Sequence, residues 1–180
     1  MLDAYVAELR GAGPVCEVGC GPGQVARYLH DRGVDASGLD LAPAMVEEAR
    51  RRNPGMTFVE GDLRALPFGD RTLAGVVAFY SLIHLERAGL VAALRELARV
   101  LRPGGQLLVA FHVGDEVRRV EELWGERTAL DFVFFEVGEM RAAMSEAGFE
   151  VTATTERDPY PEGEAQTRRA YVRATRLPEP

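Results

Sequence analysis

Residues 17–23 read Glu17-Val18-Gly19-Cys20-Gly21-Pro22-Gly23. The run Pro14-Val15-Cys16-Glu17-Val18 leads into them, and the helical run Gln24-Val25-Ala26-Arg27-Tyr28-Leu29 follows. Glycine at every second position between a strand and a helix lets the chain turn sharply and approach a ligand closely, because no Cβ intervenes. The free N–H groups of such a loop point into the crevice at the carboxyl end of the strand, where open α/β sheets bind ligands. Asp40 closes the next apolar run, residues 34–39. It stands about twenty residues on, where a nucleotide-binding half places an acid for ribose hydroxyls.

The glycine spacing bears on which nucleotide is bound. A dinucleotide fingerprint, Gly-x-Gly-x-x-Gly/Ala, is met by Gly19 and Gly21 but carries Gln24 at its sixth position; the third glycine falls one residue early, at Gly23. Glu17 stands two residues before the first glycine. A carboxylate there repels a pyrophosphate and suits a ligand with a cationic group. S-adenosylmethionine (SAM) carries a sulfonium, an ammonium and a ribose diol without phosphate, so the charge pattern favours SAM over NAD.

The chain resembles the class I SAM-dependent methyltransferases. Residues 17–23 are similar to that family's first motif, and Gly38-Leu39-Asp40-Leu41-Ala42-Pro43-Ala44-Met45 to its second. Residues 58–68, with Gly61-Asp62-Leu63, are similar to the segment that holds adenine. Leu101-Arg102-Pro103-Gly104-Gly105 with residues 106–111 is similar to the late strand motif. The four run in family order across residues 14–112. The resemblance implies a doubly wound three-layer α/β/α sandwich, with a mostly parallel seven-stranded sheet whose last strand is antiparallel.

The residues give the same fold class. Strands are expected at 15–18, 34–40, 57–60, 73–79 and 106–111, and helices at 2–10, 24–31, from Pro43 to Pro54-Gly55, and around Leu90, Leu94, Leu97 and Leu101. Pro103-Gly104-Gly105 is expected to end that last helix. Helices alternating with apolar strands imply a parallel sheet covered on both faces. Val137, Met140, Met144 and Ala147 mark a further helix. Strands 149–155 and 169–175 are joined without a helix and are expected to pair antiparallel. Residues 112–136 break the alternation, and we expect an insertion over the cofactor mouth with a strand of its own.

Composition bounds the rest. The chain has 180 residues, 47 % hydrophobic, which suits one domain, residues 1–180, with a real core. A net charge of −7 argues against sequence-independent nucleic acid binding. No apolar run approaches the roughly twenty residues of a membrane span, and Met1 to Tyr5 lack the features of a signal peptide. With Cys16 on a strand, Cys20 is too far along the chain for a bridge unless the loop folds back, which suits a reducing cytoplasm. Three histidines, none near a cysteine pair, argue against a metal site.

The resemblance also implies residue roles. Gly19 and Gly21 approach the amino acid and ribose portions of SAM, within a loop that includes Cys20 and Gly23. Glu17 orders that loop and favours the ligand's cation; the alternative is a solvated strand-end carboxylate. Asp40 accepts two ribose O–H bonds, or is a helix N-terminal acid. Leu41 and Met45 pack on the adenine face, Asp62 accepts from the adenine amino group and the Leu63 N–H reaches a ring nitrogen. The alternative for Asp62 is a turn cap.

Methyl transfer needs a nucleophile in line with the S–CH₃ bond in a site that excludes water, with a base for some acceptors. Tyr80, Ser81 and His84, just past the fourth strand, face this place, and Tyr80 also borders the cofactor. His84 is the first candidate for a base or substrate orienter and His112 the second, while His30 is expected to be solvated. The other reading of His84 is a histidine capping a short turn. Trp124, Phe132, Phe134, Tyr160 and Arg168 are candidates for the acceptor pocket. Residues 78–81 lack the Asn/Asp-Pro-Pro-Tyr pattern of amino-methylating DNA and protein-glutamine enzymes, so a small-molecule acceptor is expected, with S-adenosylhomocysteine (SAH) as product. A SAM-binding module without catalysis and a nicotinamide oxidoreductase are the alternatives.

Overall fold

A computed structural model describes residues 2–123 and 126–178, the side chains of 123 and 126–128 excepted. The elements in chain order are α1 (Leu2–Leu9), β1 (Val15–Val18), α2 (Gln24–His30), β2 (Ala36–Asp40), α3 (Pro43–Arg52), β3 (Phe58–Glu60) and β4 (Leu73–Phe79). Two 3₁₀ turns (Leu82–His84 and Arg87–Gly89), α4 (Leu90–Val100), β5 (Leu101–His112), β6 (Val117–Leu123), β7 (Glu126–Val133), α5 (Val137–Glu146), β8 (Phe149–Arg157) and β9 (Arg169–Arg176) follow.

Seven strands form one sheet in the order β3-β2-β1-β4-β5-β9-β8. The pairs from β3 to β5 are parallel, and β9 runs antiparallel to both β5 and β8. The chain moves outward from β1 to β3 and then returns to place β4 on the other side of β1. The loops after β1 and β4 therefore diverge and leave a crevice at the carboxyl ends of these strands.

The alternation along the strands builds two apolar layers. Leu107, Val109 and Phe111 join a cluster with Leu94 and Leu97 of α4 and Met140 and Met144 of α5. Leu108, between them, joins Tyr5, Val6 and Leu9 of α1. The Tyr5 hydroxyl donates to the Val76 carbonyl at 2.8 Å, pinning α1 to the sheet. Beyond β3 the chain reaches β4 without a helix. That loop is held by Arg99, which donates to the carbonyls of Leu66 and Phe68, and by Glu96, which accepts from the Leu66 N–H.

Two expectations change. Pro103-Gly104-Gly105 does not end a helix: α4 stops at Val100 and the glycines lie inside β5. Residue pairs jump from Leu73–Leu101 to Gly75–Gln106, so residues 102–105 bulge from the ladder, with Gly104 at φ 78°. A bulge tolerates a proline that cannot donate to the ladder. The insertion holds two strands, not one: β6 and β7 pair as an antiparallel hairpin separate from the main sheet. No helix among the described residues is long and apolar enough to cross a membrane.

Candidate active site

The crevice at the carboxyl ends of β1, β2 and β4 is a cavity of about 710 Å³, within the ~300–1,000 Å³ range of small-molecule sites. Gly19, Gly21, Asp40, Leu41, Met45, Asp62, Leu63, Tyr80 and His84 all line it. Ala42, Arg64, Ser81, Leu85 and Leu130 line it as well.

The glycine loop is shaped by close approach. Gly19 lies at φ 68°, and a Cβ there would stand 2.3 Å from the Ser81 Cβ. The loop after β1 thus touches the turn after β4 and closes the back of the cavity. Gly21, at φ 51°, differs: a Cβ there would meet nothing within 4 Å, because it would project into open space. Gly23 packs away from the cavity, with its missing Cβ 2.7 Å from the Phe58 ring.

Asp40 is built into this loop. Its Oδ2 accepts the Gly21 N–H at 2.7 Å and its Oδ1 the Ala42 N–H at 2.9 Å. Each oxygen keeps a further lone pair for a ligand donor. Leu41 is 63 % exposed at the cavity rim, a large apolar side chain left for a ligand to cover.

Glu17 goes elsewhere. It is 3 % exposed, and its Oε2 accepts the Ala26 N–H at 2.7 Å, so it caps the third residue of α2. Gly23, at the N-cap, has no side chain to do this. Burial pushes the Glu17 carboxyl up to about 8. It is neither a solvated strand end nor a cavity-lining anion: its carboxyl lies beneath the loop against the first turn of α2, and burial favours its neutral form. Cys20 is also buried and absent from the lining.

Asp62 faces the cavity with its carboxylate engaged. It accepts the Arg64 N–H at 2.8 Å, the turn-capping bond, and pairs with the Arg64 guanidinium at 2.7 Å. The Arg64 pairing holds its carboxyl below the usual range.

The segment after β4 supplies the other wall. Tyr80 sits at φ 58°, a left-handed conformation rare for a bulky residue and characteristic of functional loops. Its hydroxyl lies 3.2 Å from that of Tyr171. Ser81 Oγ is buried with no hydrogen-bond partner. His84 Nδ1 lies 3.2 Å from the Asp131 carbonyl of β7, and its ring meets Phe132 edge-on at 4.8 Å. Burial lowers the His84 pKa from 6.5.

His112 does not reach the cavity. Its Nδ1 is 2.7 Å from Thr167 Oγ1, and its ring packs between Tyr80 and Phe134. Burial, then the charge of Arg169, lowers its pKa to about 4. It is a packed, neutral histidine behind Tyr80. Tyr160 is exposed beneath the Arg157 guanidinium, and Arg168 pairs with Glu156, so neither lines the cavity. Phe134 is buried against His112, and Trp124 lies outside the described residues. Leu130 was not among the expected site residues; the apolar run 130–135 was the available signal, without a way to tell which face points inward.

The methyltransferase domain family matches residues 15–105. The chain belongs to this methyltransferase family. S-adenosylmethionine is the cofactor of its fold. The chain is 41 % identical over 109 residues to a demethylmenaquinone methyltransferase of Beutenbergia cavernae, which covers 61 % of this chain and 44 % of that protein. It is 33 % identical over 124 residues to a malonyl-[acyl-carrier protein] O-methyltransferase of Enterobacter lignolyticus, covering 68 % and 49 %. The chain thus spans about half the length of these curated relatives. A SAM-dependent methyltransferase structure from Methanosarcina mazei superposes with a TM-score of 0.84 at 17 % identity, over 98 % of both chains, and shows the shared fold.

The residues present fit that cofactor. Asp40 offers acceptors at the loop that a Gly21 Cβ would obstruct, and Leu41 and Met45 offer apolar cover.

Proposed function

We propose that this methyltransferase-family chain transfers a methyl group from SAM to a small-molecule acceptor. One observation carries the reading: Asp40, fixed by two backbone donors, faces a cavity that continues to the wall of Tyr80, Ser81 and His84. When bound, SAM supplies an electrophilic methyl group on a cationic sulfur. Asp40 orients the ribose diol, Gly19 and Gly21 let the main chain approach, and Leu41 and Met45 cover the adenine. Asp62 takes the adenine amino group only by sharing its carboxylate with Arg64, and the Leu63 N–H serves a ring nitrogen. Residues 1–180 act as one cofactor-binding unit, with 112–136 as its cover; Leu130 on the cavity wall supports that role.

The names of the two curated relatives carry demethylmenaquinone and a malonyl group borne on an acyl-carrier protein; the first supports a small-molecule acceptor. Buried free thiols at Cys16 and Cys20 support a reducing compartment such as the cytoplasm. Calorimetry with SAM, SAH and NADH, followed by SAH release with an acceptor panel, tests the reading. Binding of SAH without NADH, and release with a small acceptor, is expected. SAH binding without release would leave a cofactor-binding module, and preference for NADH would overturn the cofactor.

A further inference from the structure

We infer that the β6–β7 hairpin holds His84 as its Nδ1–H tautomer, leaving Nε2 to take the proton of an acceptor that carries an ionisable hydroxyl on an apolar body. This rests on the proposed methyl transfer and names its substrate class.

The tautomer follows from the partner. Nδ1 lies 3.2 Å from the Asp131 carbonyl oxygen, which can only accept, so Nδ1 carries the proton and Nε2 keeps its lone pair. The Phe132 ring, edge-on at 4.8 Å and 74°, fixes the plane of the imidazole. The hairpin is itself anchored. Arg119 pairs with Asp131 at 3.1 Å, and Arg87, which also pairs with Glu139, donates to the Phe134 carbonyl at 2.6 Å. His84 is therefore held between a 3₁₀ turn and a hairpin tied back to that same region.

The charges around His84 leave it neutral. Asp40 faces it from the end of β2, Asp131 with its Arg119 partner from β7, His112 from β5, and Glu86 and Arg87 follow it in the chain at the start of the next 3₁₀ turn. Asp40 raises the His84 pKa, but burial is the larger influence and lowers it.

The same wall selects the acceptor. Leu85, Leu130 and Tyr80 present apolar surface. Arg64 is the cavity's cation among the described residues, and its guanidinium is engaged by Asp62. A carboxylic acid, ionised at neutral pH with a pKa of about 4, would need no base and would find no open counter-charge here. A phenol or enol arrives protonated and needs one. Its O–H proton moves to Nε2, an oxygen electron pair forms the O–CH₃ bond, and the S–CH₃ bonding pair stays on sulfur as neutral SAH. The imidazolium then returns its proton to water.

Two experiments on the full chain test this. The first is ¹⁵N NMR of the SAH complex, with His84 assigned by loss of its signals in His84→Asn. A protonated Nδ1 and bare Nε2 at pH 7 are expected; an Nε2–H tautomer or a charged ring overturns the inference. The second measures SAH release with a panel of phenols, enols, carboxylic acids and amines. Phenols or enols are expected to turn over. The kcat/KM should fall tenfold per unit as pH drops below the His84 pKa, itself under the ordinary 6.5. His84→Asn keeps a side-chain N–H for the Asp131 carbonyl and removes the base. It should bind SAH within about twofold of the parent, lose roughly 100-fold or more in turnover and give a flat pH profile. Phe132→Ala should lower kcat more than it raises KM and mix the tautomers, and Phe132→Tyr should restore both. Full turnover by His84→Asn, or turnover confined to acids or amines, or none with any hydroxyl acceptor, overturns it. Failure of the parent chain to bind SAH would instead sink the methyl-transfer reading.

Discussion

Glu17→Gln separates the ionisation of a buried carboxyl from its hydrogen bond. Burial raises the Glu17 pKa from 4.5 to about 8, while its oxygen accepts the Ala26 N–H. The folded chain therefore keeps a proton that the unfolded chain releases near pH 4.5. Stability from this group is complete below that pH and is lost as pH rises through about 8. His112 acts in the opposite sense, because its pKa drops from 6.5 to about 4 on folding. Its stabilisation is complete above 6.5 and is lost as pH falls through about 4. His84 is lowered in the same direction. Above about pH 7 the unfolded histidines are mostly neutral and their contributions level off, so between pH 7 and 8 the Glu17 slope of up to ~1.36 kcal/mol per pH unit amounts to about 1 kcal/mol. Glutamine retains an oxygen for Ala26 and cannot ionise, so its slope should vanish over this window. Urea unfolding followed by circular dichroism at several pH values reads the slope directly, whatever offset the new amide introduces. Parallel curves for the two proteins, or a flat curve for the parent, would refute the buried, proton-holding carboxyl.

Asp40→Ala should weaken SAH binding by roughly 1–3 kcal/mol, since it removes acceptors for the ribose and the clamp on the Gly21 and Ala42 N–H groups. Unchanged affinity by calorimetry would take Asp40 out of the site. Gly21→Val should fold, with a left-handed strain of about 1–2 kcal/mol, and should not bind SAH, because its side chain enters open cavity. Gly19→Ala should instead lower the melting temperature, its Cβ colliding with Ser81; if both variants melt like the parent and bind, the loop is only a turn. Burial pushes the Cys16 thiol to about 12 and raises Cys20 as well, so a thiol reagent at pH 8 should label both only on unfolding. Rapid labelling of the native chain would contradict their burial.

Much of the site was legible because its residues sit on local signals. Gly19, Gly21 and Asp40 stand at strand ends, where the backbone direction is set by the strand itself, and all three reach the cavity. Leu41 and Met45 follow from the entry into α3, which begins at Pro43. His112 was harder to place. It ends β5 as Phe79 ends β4, yet its ring is captured by Thr167 from a loop distant in sequence. Tyr160 and Arg168 looked available for an acceptor pocket, but the guanidinium of Arg157 and the carboxylate of Glu156 take them up. Pairings of this kind leave no periodic trace, whether they span three residues, as Arg157 and Tyr160 do, or 55, as His112 and Thr167 do.

Sequence by itself determined the alternation of strands and helices, the crevice between the loops after β1 and β4, and the family. Each depends on short-range pattern: short continuous apolar runs, glycines that admit left-handed turns, and an acid at the end of the second strand. Only the tertiary structure decided where the buried titratable groups go. Glu17 turns beneath the loop because the N-terminus of α2 lacks a side-chain cap there and presents a free N–H within reach. His84 acquires a defined tautomer because a hairpin residue 47 positions later brings a carbonyl to its Nδ1. Hydrogen bonds of that kind are set by distance in space, which a linear pattern does not encode.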